Sequence, residues 1–383
     1  MNINRFAPIA VAAVALALLA AQPVSAQPVS AQQELIYGNW TPPREYQNAQ
    51  VMPYVFEQIA KETNGAIKWK LIAGGQLADG KSTFTAIKDN LMQGGLAIAT
   101  YVPNLVPSLG AIYTTVILDH NDVVAATGAA LETFYLNCPS CLEEFRALNS
   151  VPLSGWTSSA YLLTCREPYK TLADLKGKRV RATGGNAELM KTAGMVSVGA
   201  TLVEAVGLLQ RGGIDCQHGI ADWNRTFGYA DVAKYVIDYP LGLSGPAIGW
   251  MMNRDAWNKF TPEQKRIHFK WAAWMSAKVA IGYFLTANEE GLAAIIKDKG
   301  VQLIKVGPEF DTIGANYKKA QRETNIATAK GFGVKEPEKI IDTYERLIEQ
   351  KWRGLSKEIG RDIDKFTAVL NREVFSKVDI DKL

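Results

Sequence analysis

The sequence predicts an α/β chain of two lobes tied together by a long helix. Two observations predict the lobes: strands and helices alternate in one series, and a second such series begins after Val151. A third predicts the tie, a late helical stretch longer than one lobe needs. The composition, 383 residues with 48% hydrophobic and 21% charged, is that of a globular chain. It is long enough for one large domain or two of medium size.

The first series opens with the strand ELIYGNW (34–40). A helix follows over 46–63, with Val51, Val55 and Ile59 on one face. Asn64-Gly65 ends it. AIKWKLIA (66–73) alternates as a strand, putting Ile67, Trp69 and Leu71 on one side. A helix is expected over 81–93, stopped by Gly94-Gly95, and then the apolar strand LAIATYV (96–102). The order β-α-β-α-β argues for a mostly parallel sheet with helices on its faces.

In the second series, strands are expected at 162–167, 178–183, 214–219 and 235–240, and helices at 186–194 and 203–213. From Thr261 the pattern changes. No proline interrupts the stretch between Pro262 and Gly300. Thr261 serves as N-cap, Pro262 as first helical residue, and Glu263-Gln264 as partners in the first turn. At ~1.5 Å per residue this is up to ~60 Å of helix, enough to run across two lobes. A strand (301–306) and charged amphipathic helices complete the chain.

The N-terminus carries its own signal. Arg5 precedes an apolar run from Ala7 to Ala21, and two small-residue cleavage patterns follow, Val24-Ser25-Ala26 and Val29-Ser30-Ala31. The run is shorter than the ~20 residues a bilayer demands. This is the pattern of a secretory signal peptide over residues 1–31, with a mature start near Gln27 or Gln32. No other stretch is expected to span a membrane. The mature chain is therefore expected in the periplasm, where disulfides form. A net charge of +4 without a basic stripe argues against nucleic-acid partners.

Candidate chemistry is sparse. There is no zinc-spaced His/Cys cluster, no G-x-S-x-G and no P-loop. No cofactor or metal is expected. His120 and His268 have no partner at ligand spacing; His268 is expected to pack or to lie on the surface. Cys138 and Cys141 form a C-x-x-C before a helix, which fits a redox site or a structural disulfide. Four cysteines allow three pairings, of which Cys138–Cys141 is the simplest.

Four local motifs carry a resemblance: LADLKGKRVR (172–181), LLQRGGIDCQHG (208–219), DVAKYV (231–236) and MMNRDAWNKFTPEQKR (251–266). Their order and spacing resemble the solute-binding proteins of tripartite ATP-independent periplasmic (TRAP) transporters, over nearly the whole mature chain. The resemblance implies a two-lobe periplasmic binding protein (type II-like) with a lobe-spanning helix. It implies a first lobe over 32–153, to which 245–285 returns, and a second lobe over 154–244. The long helix covers 261–300, and 301–383 packs across both lobes. It further implies a non-enzymatic receptor that passes a small organic acid to TRAP membrane subunits, and a monomer not itself embedded in the membrane.

In that family the last arginine of the first motif pairs with the ligand carboxylate; by position this is Arg181. A planar, always-charged guanidinium suits that task. Lys178 and Arg179 are expected as solvated or structural charges. The chain also departs from the family pattern. The usual Asn beyond Asp215 is absent, with Gln217 and His218 in its vicinity. A second arginine at the start of the second lobe is replaced by Trp156, Thr157 and Ser158. A Gly-x-x-Asp in the first lobe is missing. The expected ligand is thus a monocarboxylate with an apolar or hydroxylated body. The expected ligand-binding residues are Arg181, Trp156, Gln217, His218, Trp40 and Tyr161. Cys216, where the family has a small residue near the ligand, is expected as a free buried thiol. Three other functions stand beside this one: the receptor of an ATP-driven importer, a periplasmic thiol oxidoreductase using Cys138 and Cys141, and a sensory ligand-binding subunit feeding a histidine kinase.

Overall fold

The computed structural model of the chain describes residues 33–383. The signal-peptide expectation lies outside these residues. Among the described residues, eleven strands form two sheets. In the first sheet are β1 (Gln33–Gly38), β2 (Ile67–Ile72), β3 (Gly94–Ala97), β4 (Ser150–Trp156) and β10 (Ala247–Asn253), in the order β2-β1-β3-β10-β4. In the second are β5 (Leu162–Cys165), β6 (Arg179–Arg181), β7 (Val196–Val198), β8 (Cys216–Gly219), β9 (Tyr235–Ile237) and β11 (Gln302–Ile304), in the order β11-β9-β5-β8-β6-β7.

Both sheets are mixed. β1 pairs in parallel with β2 and β3, while β10 runs antiparallel to β3 and β4. In the second sheet β5 plays the corresponding part, antiparallel to β8 and β9. The chain leaves the first sheet after β4 and returns in β10. These two crossing segments hold each other: Ser158 donates its backbone N–H to Ser244, Tyr161 to Gly242, and Leu241 to Tyr161. A third strand of chain joins them through the Ile117–Leu243 bridge.

The long helix is present over Pro262–Lys299. Its start is a capping box: Thr261 Oγ1 accepts the Gln264 N–H, and Gln264 Oε1 accepts the Thr261 N–H. The middle, Lys278–Ala287, widens into π-helical turns. The N-terminal part packs on β4, the C-terminal part on the helix Ala221–Thr226 beside the second sheet. By length and composition this helix is apolar enough to cross a membrane, contrary to the expectation that no second stretch was. Its apolar residues instead serve the core: Trp271, Ala272, Met275, Val279 and Phe284 are buried.

His268 on this helix is fully buried, not on the surface. Its Nδ1 donates to the Gln264 carbonyl (2.7 Å) and its Nε2 accepts from Trp69 Nε1 (3.0 Å), which fixes one tautomer.

The cysteines form two disulfides, Cys138–Cys141 and Cys165–Cys216. The second overturns the expectation of a free thiol at Cys216. β5 and β8 are antiparallel neighbours with Cys165 directly opposite Cys216. That register brings two side chains on one face close enough to bridge. Sequence spacing carries no trace of it. Both sulfurs of the C-x-x-C lie in the core, with Cys138 and Cys141 at most 1% exposed.

Candidate functional site: a cavity between the two sheets

The DLKG motif shapes the approach to Arg181. Asp174 completes a capping box with Thr171, and Gly177 turns the chain at φ 75°. Asp215 of the second motif then accepts the backbone N–H of Arg179 (2.7 Å) and pairs with its guanidinium. The two motifs thus lock β6 beside β8, Val180 opposite Cys216 and Arg181 opposite Gln217. Arg179 is spent on this structural pair. Arg181, two residues on, is only 3% exposed.

The Arg181 guanidinium makes two protein hydrogen bonds. Nε donates to the Ala200 carbonyl (2.7 Å), and one terminal nitrogen donates to Tyr101 Oη (3.1 Å). A guanidinium has five N–H donors. The remainder meet no acceptor among the described residues, and no described carboxylate forms an ion pair with Arg181. Tyr101 belongs to the first-sheet half, so its bond reaches across to the second. Thr100 and Thr183 (3.2 Å) and the exposed pair Lys81–Glu204 (2.7 Å) span the same gap.

Arg181 lines a cavity of about 60 Å³. Water needs ~10–15 Å³ of such space, so this is room for about four to six waters. Of the residues expected at the ligand, Arg181, Trp40, Trp156, Tyr161 and His218 line it, and Gln217 does not. The Gln217 amide bonds instead to the His218 carbonyl (3.0 Å).

Trp40 is fixed by a bond from its Nε1 to the Leu96 carbonyl (3.1 Å) and stands edge-on to Tyr101 at 5.7 Å. Trp156 sits against Gly249 in the irregular part of β10. A Cβ on Gly249 would lie 1.8 Å from the indole ring. Gly249→Ala is therefore expected to displace Trp156, lowering stability by about 1–3 kcal/mol as an overpacked core does. Ligand affinity should fall with it. Urea unfolding and calorimetry check both; an unchanged Kd would mean that Trp156 is no wall of the site.

Sequence reasoning missed several cavity residues. Asn186, Tyr101, Tyr113, Trp223, Tyr283 and Glu45 all line it. Asn186 alone had a signal, as the first polar residue after the Gly pair that follows β6. Gly184 has φ 56°, and a Cβ on Gly185 would fall 1.9 Å from the Thr114 carbonyl. Both glycines let the helix Gly185–Thr192 start hard against the cavity. Its Asn186 Nδ2 donates to Ser244 Oγ (2.9 Å), and its Oδ1 has no partner. Tyr283 comes from the π-helical part of the long helix, where it stacks on Tyr46 at 5.1 Å.

Electrostatics in the cavity are dominated by burial. His218 is pushed down to about 3, first by desolvation and then by the Arg181 charge, so its ring is neutral. Neither ring nitrogen has a partner. Burial raises Tyr161 and Tyr101 above the ordinary phenol range, keeping both hydroxyls protonated. Burial also pushes the Glu45 carboxyl up to about 8, although the Gln47 and Asn48 backbone N–H groups pull it down.

A raised folded-state carboxyl favours folding below its unfolded value near 4.5, and that contribution is lost as pH rises through 8. Wild type should therefore lose stability relative to Glu45→Gln across pH 4.5–8, by a few kcal/mol at most. His218 and His268, depressed to about 3 and about 4, act oppositely as pH falls below 6.5. They are common to both proteins and cancel in the difference. Urea midpoints at pH 5, 6.5 and 8 test this. Parallel curves would show that Glu45 holds no extra proton.

Two mixed sheets, two crossing segments and a polar-aromatic cavity between them define a two-lobe ligand-binding receptor fold. Residues 39–318 match the family model described as bacterial extracellular solute-binding protein, family 7 (DctP), and the chain belongs to that family of TRAP solute-binding proteins. It is 22% identical over 322 residues to a monocarboxylate 2-oxoacid-binding periplasmic protein of Nostoc, covering 80% of this chain and 79% of the relative. Among solved structures, it resembles a marine metagenome TRAP solute-binding protein specific for aromatic acids, in complex with 3-hydroxybenzoate. That likeness has a TM-score of 0.71 at 19% identity, over 84% of this chain and 99% of that one. It also resembles a TRAP protein of Bordetella bronchiseptica with bound mandelate (TM-score 0.67, 19% identity, 83% and 99% covered). A third, from Rhodoferax ferrireducens with copurified benzoate, has a TM-score of 0.71 at 15% identity, over 85% and 100%.

Proposed function

We propose that this chain is a periplasmic receptor that captures a small monocarboxylate between its two lobes and delivers it to a TRAP-type permease. The single observation that carries the reading is the buried Arg181 guanidinium, charged and without an acidic partner among the described residues. A buried cation costs several kcal/mol unless an anion meets it. A ligand carboxylate meets that need, and Arg181 is the one Lys or Arg lining the cavity among the described residues. Family membership supports receptor over enzyme, and the relatives that bind a 2-oxoacid, benzoate or mandelate support a small acid. The paired crossing segments serve as the hinge on which the lobes close over the acid. The receptor acts as a monomer.

A thermal-shift screen against organic acids tests this. An acid at a hundred times its Kd stabilises the folded state by about 2.7 kcal/mol, several degrees in Tm. A flat response to every mono- and dicarboxylate at millimolar concentration would end the proposal.

A further inference from the structure

We infer that the acid held in this cavity is a hydroxylated aromatic monocarboxylate, its carboxylate on Arg181, its ring between the aromatic walls, and its hydroxyl between His218 and Asn186. The inference rests on the receptor reading above and narrows it. It follows from what the cavity offers and what it leaves unpaired.

One cation lines the cavity among the described residues, so one carboxylate is held. A second would find no second cation and would share the space with Glu45, whose carboxyl burial already keeps protonated. The walls are rings. Trp40 stands edge-on to Tyr101, and Tyr161 packs against both His218 (5.1 Å) and Trp223 (5.3 Å). Such a box favours a flat ring, which meets neighbours by offset or edge contacts in addition to burying area. The body of a sugar acid would set several hydroxyls against these rings and leave them unpaired.

Among the described residues, three that line the cavity hold buried polar atoms without a hydrogen bond: Tyr283, whose hydroxyl lies toward Trp223 and Asp222, and the two residues His218 and Asn186. Both His218 nitrogens and Asn186 Oδ1 lack a protein partner, with His218 1% and Asn186 4% exposed. They belong to one neighbourhood. Asn186 is bonded to Ser244, whose segment pairs with Ser158–Tyr161, and the Tyr161 ring lies on His218. Neutral imidazole has one donor and one acceptor nitrogen, and an amide oxygen only accepts. A single hydroxyl pairs two of these three atoms, accepting from the His218 N–H and donating to Asn186 Oδ1. A keto oxygen only accepts and leaves Asn186 unpaired. An ammonium would set a second positive charge beside His218, where the Arg181 charge already disfavours one. Sites built for a hydroxyl reject the analogue lacking it, because the protein groups are then stranded.

The test is calorimetry with matched acids: 3-hydroxybenzoate against benzoate, and mandelate against phenylacetate, with lactate, pyruvate, succinate and glutamate alongside. In the wild type, at least one hydroxylated aromatic acid should bind tenfold or more tighter than its partner, and tighter than all four non-aromatic acids. In His218→Phe and Asn186→Ala the ratio of the two affinities should shrink to within threefold. Equal affinities within both pairs would overturn the inference, as would tighter binding of any non-aromatic acid, while leaving the receptor intact. The wild-type comparison stands even if a variant fails to fold. Binding by none of these acids, nor by any other carboxylate, would remove the inference and the receptor reading together.

Discussion

Arg181→Ala is expected to weaken binding of the cognate acid by about 3–5 kcal/mol, the cost of stranding one partner of a buried ion pair. That is roughly two to four decades in Kd. The carboxylate must leave water to enter the cavity, and only a preorganised cation makes that tolerable. Arg181 is preorganised by its bonds to the Ala200 carbonyl and Tyr101, which point the rest of the fork inward. Arg181→Lys should fall between wild type and Ala, because lysine keeps the charge but not the two-pronged geometry. The ligand-free Arg181→Ala protein should still unfold cooperatively, since it loses an uncompensated buried charge along with two hydrogen bonds. Calorimetry on folded variants checks the order. Near-wild-type affinity in Arg181→Ala would move the anchor elsewhere.

How far this site was legible depends on how local each signal is. Arg181 sits in a contiguous motif whose other members, Asp174 and Gly177, have local jobs that leave a trace in spacing. Tyr101, Trp223 and Tyr283 come from segments far apart in the chain, and only the closing of two sheets brings them together. The same divide runs through the fold. β1 and β2 alternate and were readable. β4 and β10 are buried on both faces, and the helix Val123–Leu136 is buried all round, so none shows the contrast that periodicity needs. The helix expected over 81–93 covers only Thr83–Lys88, because Asn90 takes φ 59° and turns the chain. Gly94-Gly95 then opens β3 instead of merely ending a helix. Side chains larger than hydrogen would not fit there: a Cβ on Gly95 would lie 2.8 Å from the Gly38 carbonyl.

Replacing Cys165 and Cys216 together by serine is expected to cost about 4 kcal/mol of stability, against about 2 kcal/mol for the Cys138/Cys141 pair. The difference follows from loop closure. The first disulfide closes a sequence separation of 51, the second a separation of 3. The unfolded chain loses more freedom the longer the loop it must close. The larger effect should also reach the site. Cys216 lies two residues before His218 on β8, and Cys165 lies two residues after Leu163, which pairs with His218. Loosening this ladder frees the strand that carries the unpaired imidazole, so ligand affinity should fall in the Cys165/Cys216 variant and hold in the other. Urea unfolding with and without reductant measures the stabilities, and calorimetry on both variants measures the site. Equal stability losses would count against the loop-closure account. Unchanged affinity in the Cys165/Cys216 variant would mean that β6 and its Arg179–Asp215 pair hold β8 in place on their own.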